Sequence, residues 1–208
     1  MSTKPSSKTL GCNLATVMKT LLFVPGYREN NNSRDYESVL DLFRDAGCDV
    51  HFVNIDWKRT TVNEWVSQLL AVYDQIDGDV VLAGFSFGAV TALVAASQRP
   101  ASEIWLFSLS PFFSEDLSHL KSWETKQLGK RRVAAAANTS FRSVSGVVHC
   151  PVKLFVGSRE IARWPEMKAR FNEASCAFSD VTPIVVEGVG HRVDHKLYAA
   201  AIARAIEN

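Results

Sequence analysis

At 208 residues the chain has room for one domain with a sizeable core. Hydrophobic residues make up 47% and charged residues 22%, the balance of an ordinary soluble globular protein. A net charge of +1 leaves no electrostatic footprint for nucleic acid or an anionic membrane as partner, and no apolar run is long enough to span a bilayer.

Residues 1–18 are polar and rich in Ser, Thr and Lys, with no stretch resembling a secretory signal. They are expected to form a flexible tail, with Met18 as an alternative start, ahead of a single domain over 19–208. Cys12, Cys48, Cys150 and Cys176 are far apart and lack metal-ligand spacing, so reduced thiols in a cytoplasmic chain are expected.

Along the chain, short apolar runs alternate with amphipathic ones. A strand over Thr20–Val24 leads into Pro25-Gly26-Tyr27-Arg28. A helix over Arg34–Ala46 follows, with Tyr36, Val39, Leu40 and Phe43 at helical spacing and Gly47 as its stop. Next come a strand over Val50–Ile55 and a helix over Val62–Ile76, capped by Thr60 or Thr61. A third strand, Val80–Ala83, precedes a nearly all-apolar helix, Phe87–Gln98, which ends before Pro100. After a strand over Ile104–Ser108 the rhythm breaks. Residues 111–148 are long for a connection, partly basic (Lys126, Lys130, Arg131, Arg132) and Ala-rich, and predict one or two helices forming a small cap. The rest reads as strand Val152–Val156, helix Pro165–Ala174, strand Ile184–Glu187 and helix Val193–Ile206. The pattern predicts an α/β fold: an open, mainly parallel six-stranded sheet with helices on both faces.

Between the third strand and its helix lies Gly84-Phe85-Ser86-Phe87-Gly88. A Gly-x-Ser-x-Gly turn from strand to helix is a nucleophile elbow: the turn is so tight that the flanking positions must lack side chains, and the serine is held in a strained backbone. A serine hydroxyl is a weak nucleophile at neutral pH and needs a base, itself oriented by an acid, in the order Ser, acid, His. Of five histidines, His191 follows the last strand in Gly188-Val189-Gly190-His191, a strand end where parallel sheets build sites. His195, in the following helix, is the reserve. The acid expected is Glu160, just past the fifth strand in Gly157-Ser158-Arg159-Glu160, with Glu115 or Asp116 as competitors beyond the fourth. Two amides are candidates for the oxyanion: that of Phe87, after the nucleophile, and that of Tyr27, in the loop after the first strand. Trp57, Phe85, Phe87, Phe112 and Phe113 lie near strand ends and could line an apolar acyl pocket.

On these motifs and Val24-Pro25-Gly26, the chain from about residue 19 to 206 resembles the α/β-hydrolase superfamily, and its compact size is similar to small, nearly cap-less serine hydrolases such as the retinoblastoma-binding-protein-like and dienelactone-hydrolase-like groups. It departs from the larger members in lacking their first two strands, in its small cap, and in Glu160 where aspartate is usual. The resemblance implies a serine hydrolase that cleaves a small-molecule carboxylic ester or thioester through an acyl-enzyme, with no metal or organic cofactor. Two other readings use the same scaffold: a non-catalytic binding protein, and an acyltransferase or carbon–carbon hydrolase. Monomer and dimer are both open.

Overall fold

The computed structural model describes residues 18–33 and 35–207, so all of the expected tail over 1–18 except Met18, Cys12 included, lies outside the described residues. Six strands pair in parallel in the order β2-β1-β3-β4-β5-β6: β1 (Thr20–Val24), β2 (Asp49–Phe52), β3 (Val80–Phe85), β4 (Glu103–Phe107), β5 (Val152–Gly157) and β6 (Val181–Val186). The expected fold class is the one observed.

Alternation along each strand builds the two layers. In β1, Leu21 and Phe23 face a core with α1 (Glu37–Asp45) and α9 (Lys196–Ile206), while Leu22 and Val24 face one with α2 (Val62–Tyr73) and α3 (Phe87–Ala96). Because α3 lies wholly in the second core, eight of its ten residues are buried, which is why it reads as apolar on every side. The outer strands are half-exposed, and Pro183 is tolerated in β6 because that strand is an edge.

Several boundaries differ from the sequence reading. β2 ends at Phe52, paired with Phe23, and Ile55 is buried in the second core beyond the sheet. β3 runs two residues further, to Phe85, so the strand enters the elbow itself. The last helix starts at Lys196, not Val193, with His195 as its N-cap accepting from the Leu197 amide. The cap region holds more helices than expected: a 3-10 turn, Leu117–His119, then α4 (Ser122–Leu128), α5 (Lys130–Ala136) and α6 (Phe141–Ser145). Gly129, at φ 85°, divides α4 from α5. A further short helix, α7 (Ser158–Arg163), follows β5 directly, ahead of α8 (Pro165–Ala174). Cys48, Cys150 and Cys176 are free thiols, and no helix among the described residues is long and apolar enough to cross a membrane.

Candidate active site

The chain leaves β1 for β2 on one side and later returns to β3 on the other, so the loops after β1 and β3 part at the point where strand order reverses. Both oxyanion candidates and Ser86 stand there.

Ser86 closes β3 with φ 59° and ψ −117°, a conformation costly for a side-chain-bearing residue, on the order of 1–3 kcal/mol. Its neighbours explain how the turn closes. A Cβ on Gly84 would lie 2.2 Å from the Gly88 carbonyl oxygen, and one on Gly88 would lie 2.1 Å from the Val24 carbonyl oxygen. The Ser86 amide donates to the Phe107 carbonyl at 2.8 Å, anchoring the turn to β4. Phe87 begins α3, so its amide is among the helix N–H groups without an intrahelical partner.

His191 hangs in the loop between β6 and α9. Its Nε2 lies 2.9 Å from Ser86 Oγ and its Nδ1 2.7 Å from Glu160 Oε2. Phe85 packs against its ring at 4.6 Å, and Trp164 meets it edge-on at 6.1 Å. The loop is tied to α7 by Arg159 N–H donating to the Val189 carbonyl at 2.9 Å and Gly188 N–H donating to Ser158 Oγ at 2.9 Å.

Glu160, just past β5 as expected, is fully buried in the first turn of α7. A buried carboxylate needs partners on both oxygens. Besides His191, it accepts on Oε1 from Ser108 Oγ at 2.7 Å and from the Gly157 amide at 2.9 Å. Ser108 in turn meets the Tyr198 hydroxyl at 3.2 Å. Burial, with the Glu160 charge beside it, pushes the Tyr198 phenol well up.

The competing acids have other partners. Glu115 caps α6, accepting from Ser140 Oγ at 2.6 Å and the Phe141 amide at 2.9 Å. Burial opposes its charge, but these hydrogen bonds outweigh it and hold the carboxyl down to about 2. Asp116 accepts from buried Arg170 at 2.6 Å, yet burial still pushes its carboxyl up.

On the other flank, the Gly26 amide donates to the Tyr36 hydroxyl at 3.0 Å, Tyr36 bonds to Glu29, and the Glu29 amide donates back to the Gly26 carbonyl at 3.0 Å. This closed turn fixes Tyr27, whose ring packs on Phe87 at 5.3 Å and Trp57 at 5.7 Å.

Ser86 and His191 open onto a cleft of about 660 Å³ that the cap and α8 roof with Leu120, Trp123, Met167 and Arg170. Phe87 borders it. Trp57, Phe85 and Phe113, expected to line a pocket, are core residues instead: the Trp57 indole donates to the Glu29 carbonyl, and Phe113 packs on Phe141. Phe112 borders a smaller adjoining hollow. Ser110, absent from the sequence reading, stands 3.0 Å from Ser86 Oγ. Its signal was the Ser108-Leu109-Ser110 run just past β4, because β3 and β4 end in step at Phe85 and Phe107.

Comparison with known proteins bears on the family and the fold. A family model described as serine hydrolase matches residues 21–140. No curated protein matches the sequence. Among solved structures, the chain is similar to Est1E from Butyrivibrio proteoclasticus (TM-score 0.76, 17% identity, covering 94% of this chain and 88% of that one). It is also similar to alpha/beta hydrolase domain-containing protein 10 from mouse (TM-score 0.73, 19% identity, 90% and 88% covered). A third likeness is to a monoacylglycerol lipase from Paleococcus ferrophilus (TM-score 0.68, 16% identity, 90% and 92% covered). At these identities the solved structures speak for the fold.

Proposed function

Because the chain belongs to the serine hydrolase family, within the α/β-hydrolase superfamily, we propose that it cleaves a carboxylic ester or thioester through an acyl-enzyme on Ser86. The observation that supports this reading is the hydrogen-bonded series from Glu160 through His191 to Ser86, at 2.7 and 2.9 Å. A neighbour named as a lipase favours an ester bond over an amide.

In this reading His191 Nε2 takes the Ser86 proton as Oγ attacks the carbonyl carbon. The oxygen of the tetrahedral intermediate is stabilised by the amides of Phe87 and Tyr27, with the positive end of α3 adding to the field. His191 then gives its proton to the departing alcohol or thiol, leaving Ser86 acylated. Water repeats the sequence: His191 takes a proton from water, hydroxide adds to the acyl carbon, and Ser86 leaves with its proton restored. The products are a carboxylic acid and an alcohol or thiol. Glu160 acts by holding the ring with Nδ1–H toward itself, which keeps Nε2 free to accept, and by stabilising the imidazolium.

The test is labelling by a fluorophosphonate together with turnover of p-nitrophenyl acetate. Wild type should label and turn over, and Ser86→Ala should do neither while melting at a similar temperature. A wild-type protein inert in both assays refutes the enzyme reading in favour of a binding protein on this scaffold.

A further inference from the structure

The cleft at Ser86 has a smaller neighbour. A hollow of about 230 Å³ adjoins it, bounded chiefly by Tyr27, Phe87, Phe112, Leu120, Trp123 and Leu128. Ser110 and Pro111 border both spaces, and Ser110 Oγ, 3.0 Å from Ser86 Oγ, marks the passage between them. The two differ in chemistry. The larger is lined by His191, Trp164 and charged Glu166, Arg170 and Glu173, none of which borders the smaller. The smaller has a mostly aromatic and aliphatic wall, and its polar side chains, Ser110, Glu124 and Gln127, are ones it shares with the larger.

The reaction assigns a half of the substrate to each. The leaving-group atom must receive a proton from Nε2 of His191, so the alcohol or thiol half must occupy the space that His191 lines. The carbonyl oxygen must turn toward the amides of Tyr27 and Phe87. The remaining substituent on the carbonyl carbon then points into the hollow that Tyr27 and Phe87 bound and that His191 does not line.

We propose that this hollow is the acyl site, and that the substrate joins a compact apolar acyl group to a larger, polar alcohol; the proposal rests on the ester-hydrolase reading above. At roughly 30 Å³ for each water-sized group, a hollow of about 230 Å³ takes about seven or eight non-hydrogen atoms. The wall formed by Phe87 and Phe112 is braced against widening. Phe112 is 1% exposed and packs on Phe87 at 4.8 Å and on Trp65 at 6.5 Å. Shifting such a close-packed aromatic cluster to admit a longer chain is costly. The alcohol side is roomier, at about 660 Å³, and its aromatic and charged lining suits an alcohol with further hydroxyl groups.

Hydrolysis of p-nitrophenyl esters from acetate to decanoate, by wild type and by Leu128→Ala and Leu128→Phe, tests the acyl assignment. Wild-type kcat/KM should peak at hexanoate or shorter and fall at least about tenfold by decanoate. Leu128→Ala should move the peak to a longer chain and Leu128→Phe to a shorter one. With acetate as the common acyl group, glyceryl acetate should exceed ethyl acetate in kcat/KM by about tenfold. A wild-type rate still rising at decanoate overturns the acyl site, as does an unmoved peak in folded Leu128 variants. Equal rates on the two acetates overturn the polar-alcohol half. If wild type hydrolyses none of these esters, the ester-hydrolase reading itself has failed and the acyl site falls with it.

Discussion

The hydroxyl of Ser110 stands 3.0 Å from that of Ser86, whose oxygen also lies 2.9 Å from Nε2 of His191. Ser86 has one proton. In the proposed reaction that proton goes to His191, and the bond to Ser110 can then only run from Ser110 to Ser86, so Ser86 receives a hydrogen bond as its negative charge develops. A single neutral hydrogen bond nets about 0.5–1.5 kcal/mol, so Ser110→Ala should lower the fluorophosphonate labelling rate and kcat by about two- to tenfold. Ser110→Thr should restore most of the rate. An unchanged rate in Ser110→Ala would reduce Ser110 to packing.

Glu160→Gln should be far more damaging than its size suggests. The Gly157 amide can only donate, so the glutamine oxygen must stay on the Gly157 and Ser108 side, leaving its amide nitrogen facing His191 Nδ1. The ring is then forced to accept at Nδ1 and to carry its proton on Nε2, where it cannot take one from Ser86. A kcat loss of roughly a thousandfold or more is expected with the fold retained. Steady-state kinetics beside circular dichroism decide it: a loss under about tenfold would mean that another acid orients His191.

Gly157 is where β5 meets the loop that carries His191. A Cβ there would sit 2.4 Å from the Val189 carbonyl oxygen and 2.8 Å from that of Gly190. Gly157→Ala should therefore push the loop outward and carry the imidazole off line from Ser86. Misplacement by about an ångström costs on the order of a hundredfold in kcat, with KM for a short ester little changed. A crystal structure of the variant with His191 unmoved would contradict this account.

Glu115 supplies stability that depends on pH. Its carboxyl is held down to about 2, below the ordinary 4.5, so its bonds to Ser140 and the Phe141 amide contribute fully above the unfolded value and are lost as pH falls toward the folded one. Glu115→Gln should lower the melting temperature at pH 7, and the gap to wild type should narrow between about pH 4.5 and 2.5. Melts across that range check the sign; a gap that widened on acidification would reverse the assignment.

What could be read in the sequence follows from the range of each signal. Ser86, Glu160 and His191 each sit just past an apolar run, two of them beside glycines that tight turns require, so local pattern was enough to nominate them. Ser110 was missed because a loop serine has no periodicity; only the shared register of β3 and β4 brings it to Ser86. The aromatic residues failed for a related reason. Apolar character says that Trp57, Phe85 and Phe113 are buried, but not whether they are buried by protein or by a cleft. The cap was undercounted because its helices are five to seven residues long, too short for a helical period to repeat.

The Val24 and Pro25 carbonyl oxygens lie 2.1 and 2.4 Å from where a Cβ of residue 88 would stand. The loop bearing Tyr27 and the helix bearing Phe87 are thus in backbone contact, and neither can shift without the other. For anyone redirecting this scaffold to new substrates, that wall is frozen: libraries there would mostly yield dead protein. Selectivity should instead be adjustable from the cap, where Trp123 is 58% exposed and the helices are short.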